Sequence, residues 1–238
     1  MDCFILSDWK SSDYKEVRKY LESIGNSDTK KFNEKLIFTK YQILGIKTDL
    51  LRRISKEIAK GNIESYISVS KPFYFEEVLI LGFVISNIKD LDNFNDYLSY
   101  FLSFIDNWAV CDMCISSMKI IKKNREYFIP IIKKYVNDNN LYTVRVAIVM
   151  LMDFYLKDEY LDLVFSIIDS IDRDEYYINM AVAWCLSIAF IKHRDKTLDY
   201  LKRCHLDKFT YNKALQKMRE SLRVSTEDKK MLQDMKIK

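Results

Sequence analysis

The segment IDNWAVCDMC, Ile105 to Cys114, sets an indole at Trp108 and a carboxylate at Asp112 four residues apart. On a helix that spacing brings both side chains to one face, one turn apart. A packed core accepts the tryptophan and rejects an unpaired acid, whereas a solvated surface accepts the acid and seldom the tryptophan. A face that holds both suits something partly apolar and partly cationic, because indole faces and carboxylates each attract positive charge. Two further residues are out of character in very apolar runs: Arg145 in NLYTVRVAIV and Trp184 in YYINMAVAWCL. Taken singly, each has a plain structural reading. Asp112 can be an acid of an early helical turn favoured by the dipole, Arg145 the partner of a neighbouring helix's acid, and Trp184 a core residue. Their regular separation, 37 residues from 108 to 145 and 39 from 145 to 184, ties them together.

The elements that must position these residues are helices. Only 4 Gly and 2 Pro occur in 238 residues, too few for glycine-rich phosphate loops, hairpins or a dinucleotide-binding turn. Apolar residues recur at helical spacing along the whole chain, as at Leu50, Leu51, Ile54 and Ile58 in TDLLRRISKEIAKG, where Thr48 suits an N-cap and Gly61 a C-terminal stop. The run KPFYFEEVLILGFVISNI, starting at Pro72, is too apolar to be anything but buried. Later runs include NWAVCDMCISSMKIIKK, read as one helix, LYTVRVAIVMLMDFYL opened by Asn140, and EYYINMAVAWCLSIAFIK opened by Asp174. About a dozen helices of ordinary length follow from the pattern. The separation of Trp108, Arg145 and Trp184, with each near the first two turns of its helix, is close to the roughly 40-residue repeat of HEAT and armadillo stacks. The expectation is an all-α, right-handed α-α superhelix (solenoid) of HEAT-like repeats, a single domain over residues 1–238 with a concave basic groove.

Hydrophobic residues at 49% and charged residues at 30% exclude a disordered chain. A formal net charge of +4 is compatible with a polyanionic partner. The basic run KFTYNKALQKMRESLR carries Lys208, Lys213, Lys217, Arg219 and Arg223, spaced to gather largely on one side of a helix. It reads either as a solvated face or as a rail for phosphates. Five scattered cysteines, no signal-peptide pattern and no apolar run of membrane-spanning length predict a soluble protein of the reducing cytoplasm, with no membrane contact. Cys111 and Cys114 form a C-x-x-C, but without a second pair at metal-ligand spacing they read as small core residues, so neither metal nor cofactor is expected.

The chain resembles the AlkD-type, HEAT-like-repeat alkylpurine DNA glycosylases of the DNA alkylation repair family. LGIKTDLLRRI (Leu44 to Ile54) resembles the family's Gly–Ile/Val–x–Thr–Pro–x–x–Arg signature, with Asp49 at the proline and Arg52 at the arginine. NWAVCDMC resembles its Trp-x-x-x-Asp segment, NLYTVRVAIV its Arg-x-Ala segment and YYINMAVAWCL its closing Trp-x-Leu segment, in order and at matching spacing. The resemblance implies a C-shaped superhelix that clasps duplex DNA and excises cationic purines alkylated at N3 or N7. Carried over by position, Asp112 is the catalytic carboxylate, Trp108 and Trp184 the groove tryptophans and Arg145 a backbone-binding arginine. Arg52, Lys213 and Lys217 are further candidates for DNA contact, and the chain is expected to act as a monomer. The departures are Ser187, where the family often has arginine, and Leu36, where it often has an aromatic. They keep open the alternative of a non-catalytic HEAT-repeat paralogue that binds DNA or a protein partner.

Overall fold

The computed structural model describes residues 4–238, so Cys3 lies outside the described residues. Within them the chain is helical, with no strand beyond one isolated bridge between Gln42 and Tyr74. It divides into two compact units, residues 1–120 and 121–238. No helix among the described residues is long and apolar enough to cross a membrane.

The first unit holds α1 (Ser11–Ser23), α2 (Ser27–Leu36), α3 (Thr48–Ile58), α4 (Ile63–Val69), α5 (Phe75–Ile85), α6 (Leu91–Leu102) and α7 (Trp108–Ile115). The short α8 (Ile120–Lys123) lies at the division. The second unit holds α9 (Arg125–Tyr135), α10 (Leu141–Met150), α11 (Leu161–Asp169), α12 (Tyr176–Lys192), α13 (Arg194–Leu201), α14 (Lys208–Glu220) and α15 (Thr226–Asp234). A single π turn, Leu151–Tyr155, prolongs α10. In the first unit α5 packs against both α3 and α7, and in the second α12 packs against both α10 and α14. Alternate helices thus form one layer of each unit, the packing expected of a helical-repeat stack. Every residue of α5 is buried, as a helix apolar all round must be.

Polar steps in the sequence become N-caps. The side chains of Asn62, Asp90, Asn107, Asn140, Asp207 and Ser225 each accept from amides of the turn they open. Each such cap contributes about 1 kcal/mol. The boundaries depart from the sequence reading in several places. Lys47 rather than Thr48 precedes α3, Pro72 lies before α5 rather than in it, and Glu175 rather than Asp174 precedes α12. The run after Trp108 is two helices. The Ser116 and Ser117 hydroxyls donate back to the carbonyls of Asp112 and Met113, and the amides of Ser117 and Met118 reach only three residues back, which ends α7.

Two features fix where α7 sits. Gly82, inside α5, lets that helix approach so closely that a Cβ there would lie 2.5 Å from Cys114 Sγ and from Phe101 Cζ. Glu76, at the start of α5, is fully buried, and its carboxylate accepts the amides of Leu44 (3.0 Å), Gly45 (2.7 Å) and Ile46 (3.2 Å). Burial pushes its carboxyl above the ordinary range while these amides pull it back. The loop it holds turns at Gly45, whose φ of 82° is left-handed and favours glycine. Replacing Glu76 by Gln leaves one acceptor oxygen for three buried amides. Stability should fall by about 2–3 kcal/mol, measured as a lower urea midpoint. A loss under about 0.5 kcal/mol would mean that the loop is held by something else.

Candidate functional site

In the first unit, Asn107 caps α7 and sets Trp108 as its first residue. The indole is half-buried, and its Nε1–H donates to the Leu36 carbonyl at 3.1 Å. The preceding residue, Asp106, accepts from the Thr39 hydroxyl (2.9 Å) and the Lys40 amide (2.7 Å). The segment from 36 to 40 is therefore clasped to the start of α7 on both sides of the indole. One turn on, Asp112 is 8% exposed, in a helix whose Ala109, Val110, Cys111, Cys114 and Ile115 are all buried. A carboxylate so placed meets a low dielectric, where its field is worth several times its value in water. Trp108 and Asp112 thus share a helix at one-turn spacing, as the sequence predicts.

Arg52, a sequence candidate for DNA contact, binds the far end of the same helix. Its guanidinium lies 4.1 Å from the Phe83 ring centroid and donates to Ser117 Oγ (2.6 Å) and the Met113 carbonyl (3.3 Å). Those bonds satisfy a carbonyl at the C-terminus of α7, where a cation is favourable. Arg52 also lines a cavity of about 600 Å3 with Lys56 and Lys119, and no acid lines it.

In the second unit, Arg145 is the fifth residue of α10, the position Asp112 has in α7. It is 5% exposed and donates to the Tyr177 carbonyl at 2.6 Å. Lys217 on α14 is half-buried. Burial, with a smaller contribution from the Lys213 and Arg145 cations, depresses its pKa against the opposing pull of Glu220. Three of the four basic residues expected to contact DNA, Arg145, Lys213 and Lys217, thus lie together within this unit. Trp184 is half-buried but is the ninth residue of α12, a turn deeper than the sequence reading places it. Ser187 is buried and donates to the Trp184 carbonyl of its own helix. Of the basic run of α14, Lys208, Lys213 and Arg219 line one cavity, Lys217 lies with Arg145 and Lys213, and Arg223 lies beyond the helix end.

Sequence reasoning missed Asp106 and a set of aromatic rings in the second unit. Tyr142 lies 6.1 Å from Tyr177, Tyr176 lies 5.4 Å from Tyr177 and 6.1 Å from Phe209, and Lys213 Nζ lies 5.6 Å from the Phe209 ring. Rings and cations interleave there, as on surfaces that take nucleic acid. A signal for the rings was present. Phe75, Trp108, Tyr142, Tyr177 and Phe209 fall within the first two positions of α5, α7, α10, α12 and α14, in steps of 33, 34, 35 and 32 residues. Cys111, Cys114 and Cys185 are buried, the Cys114 thiol is pushed up by burial, and that of Cys185 is pushed up to about 12. Such thiols are inert. Among the described residues no cluster of His, Cys, Asp or Glu could hold a metal.

A family model described as DNA alkylation repair enzyme matches residues 17–220. No curated protein matches the chain.

The cationic set of the second unit carries a testable cost. Lys217→Met removes a half-buried charge that burial and two cations disfavour, so the melting temperature should rise by about 1–4 °C while affinity for duplex DNA falls. The folded chain holds that proton less tightly than the unfolded chain, so wild-type stability rises with pH between the depressed pKa and the ordinary 10.5. The variant should lack that rise. A lower melting temperature with unchanged DNA affinity would make Lys217 a structural residue.

Proposed function

This chain belongs to the DNA alkylation repair enzyme family, and from its place among repair proteins that act on DNA we propose that it is a monofunctional DNA glycosylase for purines alkylated at N3 or N7. The observation that carries the reading is the buried carboxylate of Asp112, one turn from an indole that Leu36 holds in place. An alkylated purine already bears positive charge. When its bond to C1′ breaks, the electron pair goes to the base and neutralises it, so no general acid is needed. Positive charge passes instead to the deoxyribose, as in glycoside hydrolysis. A preorganised carboxylate stabilises that charge and can orient the water that adds at C1′.

The resemblance makes Trp108 and Trp184 groove tryptophans, whose indole faces attract a cationic nucleotide and exclude water. Arg145, Lys213 and Lys217 take backbone phosphates, which fix the duplex without reading sequence. Arg52 supports the reading mainly by holding the helix that carries Asp112. One chain on one duplex, without metal or cofactor, suffices for this chemistry. A second reading, a non-catalytic module that binds DNA or a protein, draws on Ser187, which bonds into its own helix where the family often has an arginine.

Asp112→Asn keeps volume and removes charge. Release of 7-methylguanine and 3-methyladenine from methylated duplex DNA should fall by about 10²–10³-fold, the loss typical of removing one preorganised electrostatic group. Duplex affinity should change little. Trp184→Ala should slow release without lowering the melting temperature. Undiminished release by the Asp112 variant would refute its role, and no release by the wild type despite salt-sensitive DNA binding would favour the non-catalytic module.

A further inference from the structure

On the side of α14 that faces α15 and the C-terminal residues lies a cavity of about 510 Å3. Four cations line it, Lys208, Lys213, Arg219 and Lys236, and among the described residues no acid does. Of the acids near it, Glu220 is engaged by Gln216 and Asp234 lines neighbouring cavities. One wall is Phe209, 42% exposed, whose ring lies 6.1 Å from that of Tyr176, 58% exposed, tilted by 45°. The two amide side chains present are already engaged: Asn212 exchanges hydrogen bonds with the backbone of Ile237, and Gln216 accepts from Lys213 and donates to Glu220. They brace the cavity rather than await a ligand. Arg219 donates from one terminal nitrogen to Gln233, and its Nε–H is buried with no acceptor among the described residues.

Four like charges and an exposed ring at one cavity have no common structural purpose. We infer that this cavity is a binding site for a nucleotide unit, its phosphate held by Arg219, Lys208 and Lys236 and its base laid on Phe209. Lysine and arginine supply the charge-assisted bonds a phosphate takes, and a ring face accepts any base without reading it. This site is distinct from the set of Arg145 and Lys217, with Lys213 between the two. The unit could come from a DNA strand away from the damaged nucleotide, which rests on the reading proposed above, or from a free mononucleotide.

The test uses the full chain and two variants, Arg219→Gln and Phe209→Ala, with melting temperatures to check folding. Thymidine 5′-monophosphate, inorganic phosphate and thymidine are titrated by calorimetry, and a labelled undamaged duplex by anisotropy over a salt series. The expected result is that Phe209→Ala weakens the nucleotide or the duplex by about 5- to 150-fold, the span of a single stacked base. Arg219→Gln should weaken the nucleotide, inorganic phosphate or the duplex, and make the duplex salt slope shallower by about 0.9. Sensitivity of the duplex identifies a strand as the source, and sensitivity of the mononucleotide alone identifies a free nucleotide. Phosphate binding unmoved by Phe209→Ala, with no nucleotide or duplex effect, overturns the base platform. Indifference of every ligand to both variants overturns the site. Base release with DNA binding independent of Phe209 and Arg219 would reject the site and keep the glycosylase. No base release, with binding that depends on both residues, would do the reverse.

Discussion

The geometry of the first unit depends on one buried carboxylate. Glu76 receives three consecutive amides at 44–46, so the loop that leads into α3 cannot shift without stripping partners from a charge in a low-dielectric interior. From that fixed loop α3 carries Arg52 to the end of α7, where its guanidinium takes the Met113 carbonyl and the Ser117 hydroxyl. Glu76 also belongs to α5, which packs directly against α7. The helix that bears Asp112 is thus held from α5 and from α3, and both attachments lead back to the same side chain. The start of α7 has its own tether, the indole of Trp108 on Leu36 and the carboxylate of Asp106 on Thr39 and Lys40. In the role proposed for it, the Asp112 carboxylate gains from such support, because a group that acts by its field must not move when charge develops nearby.

The second unit follows an opposite economy. Its cations are set close enough to disfavour one another, and Arg219 leaves a donor unpaired. A fold selected for stability alone would not gather them. Strain of this kind is typical of surfaces completed by a ligand, which under the function proposed is a polyanion whose phosphates neutralise the charge. The exposed rings of Tyr176 and Phe209 fit the same partner, since a strand offers apolar faces as well as phosphates.

Much of this was legible in the sequence. The scarcity of Gly and Pro and the 3.6-residue period point to the all-helical fold, and Asn140 acts as a helix starter should. The pair Trp108 and Asp112 followed from spacing alone. What escaped did so for physical reasons. The break at Ser116 and Ser117 depends on hydroxyls turning back to the helix carbonyls, which no periodicity reveals. Asp106 carries no local signal, because its partners at Thr39 and Lys40 lie more than 60 positions away. Trp184 was taken as a marker of the repeat, yet it sits a turn deeper than the aromatic that recurs at helix starts. The steps of 32 to 35 residues between those first-turn aromatics give a better register than the roughly 40 inferred from Arg145 and Trp184.

Gly82 has a consequence for how this sequence can drift. Its missing side chain is the space that Cys114 and Phe101 fill, from a different helix each. A methyl group at 82 would meet both, so it could enter only if bulk gave way at 114 and at 101 together. One missing side chain thus couples three positions separated by up to 32 residues in the chain. The sulfur at 114, so suggestive beside Cys111, fills the space that a glycine on the facing helix leaves open.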